Sequence, residues 1–161
     1  MISTHTATVT LPTDEQILIT REFDAPAHLV WRAVTEPELV RRWWGGERGE
    51  MTVCDIDLRV GGKWQYVMTA ASTPGMEVDF YGEFYEIVPD ERIVQSEVFA
   101  PFPDAGAITT MTLVEHDGRT TMTVLVQHQA KEHRDMHINS GMEAGMQESY
   151  DALEKVATSL R

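Results

Sequence analysis

"DMHINSGMEAGMQESYDALEKVATSL" (135–160) carries the longest helical period in the chain. Met142, Met146, Ser149, Tyr150, Leu153, Val156 and Leu160 recur at three- and four-residue intervals and share one helical face. Glu143, Gln147, Asp151 and Lys155 fall on the other face, with Asp151 and Lys155 at supportive i,i+4 spacing. Gly141 and Gly145 each weaken a helix by about 1 kcal/mol relative to Ala, so a close approach to whatever lies beneath is expected there. The spacing predicts one long amphipathic helix over about 135–160, and its apolar face needs a surface to cover.

The residues upstream supply that surface as strands. "RTTMTVLVQH" (119–128) and "AITTMTLVEH" (107–116) flank Asp117-Gly118, a strong short hairpin signal. "RIVQSEVF" (92–99) follows the turn "VPDE" (88–91), and "EVDFYGEFYEIV" (77–88) alternates Val78, Phe80, Gly82 and Phe84. Gly82 there suits a bulge or a close backbone approach. "GGKWQYVM" (61–68) puts Trp64, Tyr66 and Met68 together, and "TVCDIDL" (52–58) does so for Cys54, Ile56 and Leu58. Far upstream, "QILITREF" (16–23) sets Ile17, Ile19 and Phe23 on one face, after a polar leader over 1–15.

Between the first strand and the rest lie two short helical stretches. In "DAPAHLVWRAV" (24–34), Pro26 suits a first turn, and Leu29, Val30, Ala33 and Val34 follow helical spacing. "TEPEL" (35–39) reads as a capping box, with Thr35 and Glu38 satisfying each other's backbone N–H groups. This second helix is expected to carry Leu39, Val40, Trp43 and Trp44 until Gly45-Gly46 stops it. Consecutive helical residues point about 100° apart, so Trp43 and Trp44 cannot fill the same pocket. One ring is expected to seal the core or a cavity edge.

The order strand, two short helices, antiparallel strands, long helix predicts a single α+β domain over 1–161. Its curved antiparallel sheet would wrap around the C-terminal helix, and a strongly curved sheet leaves a gap beneath a straight helix. "REFDAPAHLVWRAVTEPELVRRWWG", "VGGKWQYVM", "GEFYEIVPDERIV" and "GMEAGMQESYDALEKV" occur in that order. Together they resemble the family related to the activator of the heat-shock protein 90 ATPase, within the START-like, helix-grip superfamily also called SRPBCC. The resemblance runs from about Ile17 to Leu160. It implies a helix-grip fold around an apolar cavity without fixing one activity.

Candidate cavity residues follow from the shared faces. Trp64, Tyr66 and Met68 would be joined by Phe84 and Met111 from neighbouring strands, by Met142, Met146 and Tyr150 from the long helix, and by Trp44 at the mouth. Flexible methionines mixed with aromatics that carry polar tips suit an adaptable ligand pocket, and the same set suits a packed core. His128 is expected at the strand end, either solvated or orienting a ligand at the cavity mouth. His133 and His137 lie four apart without a third ligand, so no metal site and no cofactor is expected. Nucleophile elbows, phosphate-binding glycine loops and thiol–base pairs are missing, so no catalytic residue is assigned.

Composition narrows the partners. The 161 residues include 26 acidic and 13 basic side chains, a net charge of −13. That charge disfavours nucleic acid and anionic membrane surfaces. One cysteine excludes an internal disulfide framework, and no leader or membrane-spanning run is evident, so a cytoplasmic protein is expected. The leading functional expectation is a module binding a small hydrophobic or amphipathic molecule. The resemblance implies two alternatives: a chaperone partner, although the separate N-terminal domain of the eukaryotic activator has no counterpart here, and a cavity-based cyclase or lyase. Domains of this kind pair through sheet edges or helices, but nothing in the sequence specifies a homodimer.

Overall fold

The computed structural model describes residues 6–45, 48–72 and 75–161. Eight antiparallel strands form one sheet: β1 (Thr8–Thr10), β2 (Gln16–Phe23), β3 (Gly49–Ile56), β4 (Lys63–Ala70), β5 (Glu77–Val88), β6 (Arg92–Phe99), β7 (Ala107–His116) and β8 (Arg119–Gln127). Their order across the sheet is β1-β2-β8-β7-β6-β5-β4-β3. All neighbours but one pair are consecutive in the chain. The exception, β2 beside β8, brings the two ends of the sequence together.

Among the described residues, four α-helices complete the α+β fold: α1 (Ala27–Thr35), α2 (Pro37–Val40), α3 (Lys131–Ile138) and α4 (Met142–Ser159). The curved sheet and its C-terminal helix make a helix-grip architecture. Register sets which side chains face α4. Ile17, Val126 and Thr109 lie in one row, and Ile19, Val124, Met111 and Ile93 in the next. Farther along the curve, Cys54, Tyr66, Phe80 and Phe99 form a third row. The principal core joins Phe23, Val30, Trp43, Trp64, Phe84 and Leu153, so it is built between the sheet, α1 and α4.

Several local expectations are corrected. The leader is not wholly polar coil, because Thr8–Thr10 pairs with β2 and forms an edge strand. Thr35 does not cap the second helix. It ends α1, its hydroxyl donating to the Trp31 carbonyl at 2.6 Å, and Glu36 occupies the N-cap of α2. The second helix stops at Val40 and the chain continues through turns to Gly45; Gly46 lies outside the described residues. Leu58 falls beyond β3 and is exposed.

The long helix is divided. Gly141 adopts φ 84°, a left-handed conformation at the N-cap of α4, and separates it from α3. Gly145 makes no close backbone approach, since a Cβ there would meet only the Arg48 side chain, at 3.6 Å. Asp151 bonds Arg21 at 3.0 Å instead of the expected Lys155. Gly82 does mark a close approach: a Cβ would collide with the Ser96 carbonyl and sit 2.6 Å from Trp64 Nε1.

Candidate functional site on the concave sheet face

Trp44 follows α2 and turns its ring toward the sheet. It meets Tyr66 edge-on with centroids 5.4 Å apart and Phe80 at 5.8 Å. Tyr66 in turn lies 4.9 Å from Trp64, and Phe80 5.0 Å from Phe99. Phe99 continues to Phe102 at 5.9 Å, whose side chain is exposed. A line of rings thus runs from the inner sheet face to the surface. From the other side comes Tyr150 of α4, 6.2 Å from Phe23 and 6.5 Å from Trp43.

Trp44, Tyr66, Phe80, Met111, Val124 and Tyr150 pack against the core yet keep some accessible surface. Burial, then the nearby Cys54 and Glu97, pushes the Tyr66 phenol well up. Burial and Glu97 do the same for Tyr150.

Glu97 is the charged group that acts electrostatically on both tyrosines. Opposite Ala107 in the β6–β7 ladder and alternating with Ile93 and Gln95, it points to the concave side. The residue is partly buried, and its carboxyl is shielded from solvent. No hydrogen bond or ion pair reaches it among the described residues. Burial alone raises its pKa to about 7. Alternation gave no signal for it, because β6 carries apolar residues at both parities.

Other anticipated residues lie elsewhere. Trp64 is buried and its Nε1 donates to the Ser96 carbonyl at 3.1 Å, so it supports Tyr66 from below. Phe84 is sealed in the principal core. Met68 is buried where its sulfur would collide with any Cβ at Gly45. Met146, with Met142 beside it, packs in a second cluster with Ile17, Ile19 and Val126.

His128 is neither solvated nor beside the aromatic wall. Only 7% exposed, it sits in a corner under α3, with Nε2 3.0 Å from His137 Nδ1. Its Nδ1 and that of His133 are buried without partners. Burial first, then His137, His133 and Arg134, lowers the His128 pKa to about 4. Among the described residues no three His, Cys, Asp or Glu side chains converge as metal ligands. Cys54 is buried with its thiol 3.6 Å from the Pro37 carbonyl, and burial pushes its pKa up, which keeps it unreactive.

A depression of about 530 Å³ lies on the opposite, convex face, lined by Asp55, Lys63, Gln65, Tyr81, Glu83 and Tyr85 among others. Its mixed charges and exposed tyrosines make it a solvated surface rather than an enclosed site. No helix among the described residues is long and apolar enough to cross a membrane.

Solved structures share this architecture. A protein of Rhodobacter sphaeroides aligns with TM-score 0.86 at 24% identity, covering 96% of this chain and 99% of its own. A protein of Arthrobacter aurescens gives 0.83 at 26%, covering 94% and 91%. A Mycobacterium smegmatis protein gives 0.82 at 25%, covering 93% and 96%. No curated protein matches the chain. The family described as "Activator of Hsp90 ATPase homolog 1-like protein" matches residues 24–158, which takes in both short helices, the sheet from β3 to β8 and nearly all of α4. With the helix-grip fold and a match over most of its length, this chain belongs to the Activator of Hsp90 ATPase homolog 1-like family.

Proposed function

We propose that the domain holds a small apolar or amphipathic molecule between the concave sheet face and α4. The observation that carries this reading is the partly accessible aromatic wall of Trp44, Tyr66, Phe80 and Tyr150 on an inward face. Burying apolar ligand surface there contributes about 25 cal/mol per Å², and the phenol hydroxyls orient the polar end. The test is uptake of the neutral fluorophore N-phenyl-1-naphthylamine, read by its emission and by tryptophan quenching. Saturable uptake that weakens in Trp44→Ala and Tyr150→Ala supports the reading. Absence of uptake by the folded protein overturns it.

A chaperone-partner role is the second reading. It draws on the family's description and on the convex depression, where exposed Tyr81 and Tyr85 offer the amphipathic rings that protein interfaces favour. Its test is chaperone ATPase turnover with wild type and with the Tyr81→Ser/Tyr85→Ser variant. An unchanged rate in the presence of wild-type protein overturns it.

A further inference from the structure

We propose that Glu97 makes the concave site a receptor for amphipathic cations, small molecules that carry a protonated amine on an aromatic or aliphatic body. The inference rests on the ligand-binding reading above and names its ligand class.

Another charged group of the sheet's inner face has its counter-charges. Arg21 on β2 is 1% exposed, and its guanidinium bonds Glu154 at 2.8 Å and Asp151 at 3.0 Å. Glu97 has no such partner among the described residues, although it too is set among protein atoms on the inward face. A buried carboxyl left unpaired costs stability unless something supplies the missing charge or proton. Where no cation stands beside it, a proton does so, in line with the raised pKa.

The chemistry around Glu97 selects what replaces that proton. Phe99, two residues on from Glu97 on the same face of β6, meets Phe80 at 5.0 Å, and Trp44 and Tyr66 continue that aromatic wall. Aromatic faces attract cations, the more so when water is excluded. An ammonium group at this wall would gain ring contacts together with a charge-assisted hydrogen bond to the carboxylate. A ligand anion would instead meet a second negative charge. An inorganic divalent ion demands several oxygen ligands, and no cluster of acids converges among the described residues. The net charge of −13 also draws cations toward the protein and repels anions.

Isothermal titration of octylamine and of 1-octanol, near neutral pH, into wild type and Glu97→Gln tests the proposal. The two probes match in length and differ in the charged head. Wild type is expected to bind the amine about 10-fold or more tightly than the alcohol, with the preference lost in Glu97→Gln and alcohol binding retained. Below the Glu97 pKa, amine binding to wild type should release a proton, seen as a dependence of heat on buffer ionisation enthalpy, whereas octanol should release none. Equal affinity of both probes for wild type overturns the amine assignment and leaves the cavity reading standing. An amine preference that persists in Glu97→Gln overturns the role of Glu97 and assigns the effect to surface charge. If neither probe binds, the cavity reading falls as well. The proton-release measurement uses wild type alone, so it decides the matter even if Glu97→Gln fails to fold.

Discussion

Trp43 and Trp44 are adjacent in the chain and serve opposite sides of the same turn. Trp43 is buried, its Nε1 donating to the Ala33 carbonyl at 2.8 Å, while Trp44 stays partly accessible and meets Tyr66 edge-on. Trp43→Ala should therefore lose about 3–5 kcal/mol of stability, through a large cavity and an orphaned carbonyl. Trp44→Ala should lose clearly less stability but more ligand uptake. Urea unfolding of both variants beside probe binding checks the division. Equal losses of stability would show that the two rings share one structural role.

Glu97 should make the protein less stable as pH rises. Its folded pKa, about 7, exceeds the ordinary value of 4.5, so the folded state holds the proton more tightly than the unfolded chain does. Below the ordinary value both states are protonated and nothing is lost. Through the window from 4.5 to about 7 stability falls, and above it the full loss remains. The variant Glu97→Gln should escape a loss of on the order of 2–3 kcal/mol. Unfolding free energies of both proteins on either side of the window measure it.

His128 should act in the reverse sense. Its folded pKa, about 4, lies below the ordinary 6.5, so the unfolded state binds the extra proton first and stability falls as pH drops between those values. Neighbouring His137, itself lowered by burial, shares the effect, while Arg134 stands nearby as a fixed positive charge. His128→Leu should remove on the order of 2 kcal/mol of acid sensitivity. Because Glu97 and His128 oppose each other where their windows overlap, the wild-type profile should be flatter there than that of either variant.

The two glycines should respond oppositely to alanine. Gly145 lies within α4 and a Cβ meets only the Arg48 side chain in ordinary contact, so Gly145→Ala should stabilise by about 0.5–1 kcal/mol. Gly82→Ala would drive a methyl into the Ser96 carbonyl and the Trp64 ring, and should destabilise by several times that amount. Thermal unfolding of the pair decides it.

Most strands were legible because alternation is a property of the chain alone. β5, β6 and β7 match the sequence expectation residue for residue. The division between α3 and α4 was not, since Met142 and Met146 continue an unbroken helical period past Gly141. β1 was hidden for another reason: three residues of a polar leader become a strand only because β2 offers them a partner edge.

For the site, alternation brought Trp64, Tyr66 and Met68 to one strand face, and helical spacing brought Met146 and Tyr150 to one helix face. It did not separate the aromatic wall from the core, because both use the same residue types. Glu97 was missed because β6 carries apolar residues at both parities, Ile93 and Phe99 on one face and Val94 and Val98 on the other. Which face turned inward depended on the sheet's curvature and on α4 crossing it.

Periodicity is local, so the elements and most of their order can be read from neighbouring residues. The partner of an inward polar group is not local: it depends on which elements meet across the core. Arg21 meets Glu154, 133 positions away in the chain, and is neutralised. Glu97 lies within electrostatic influence of two tyrosines and, among the described residues, meets no counter-charge, a difference invisible along the chain.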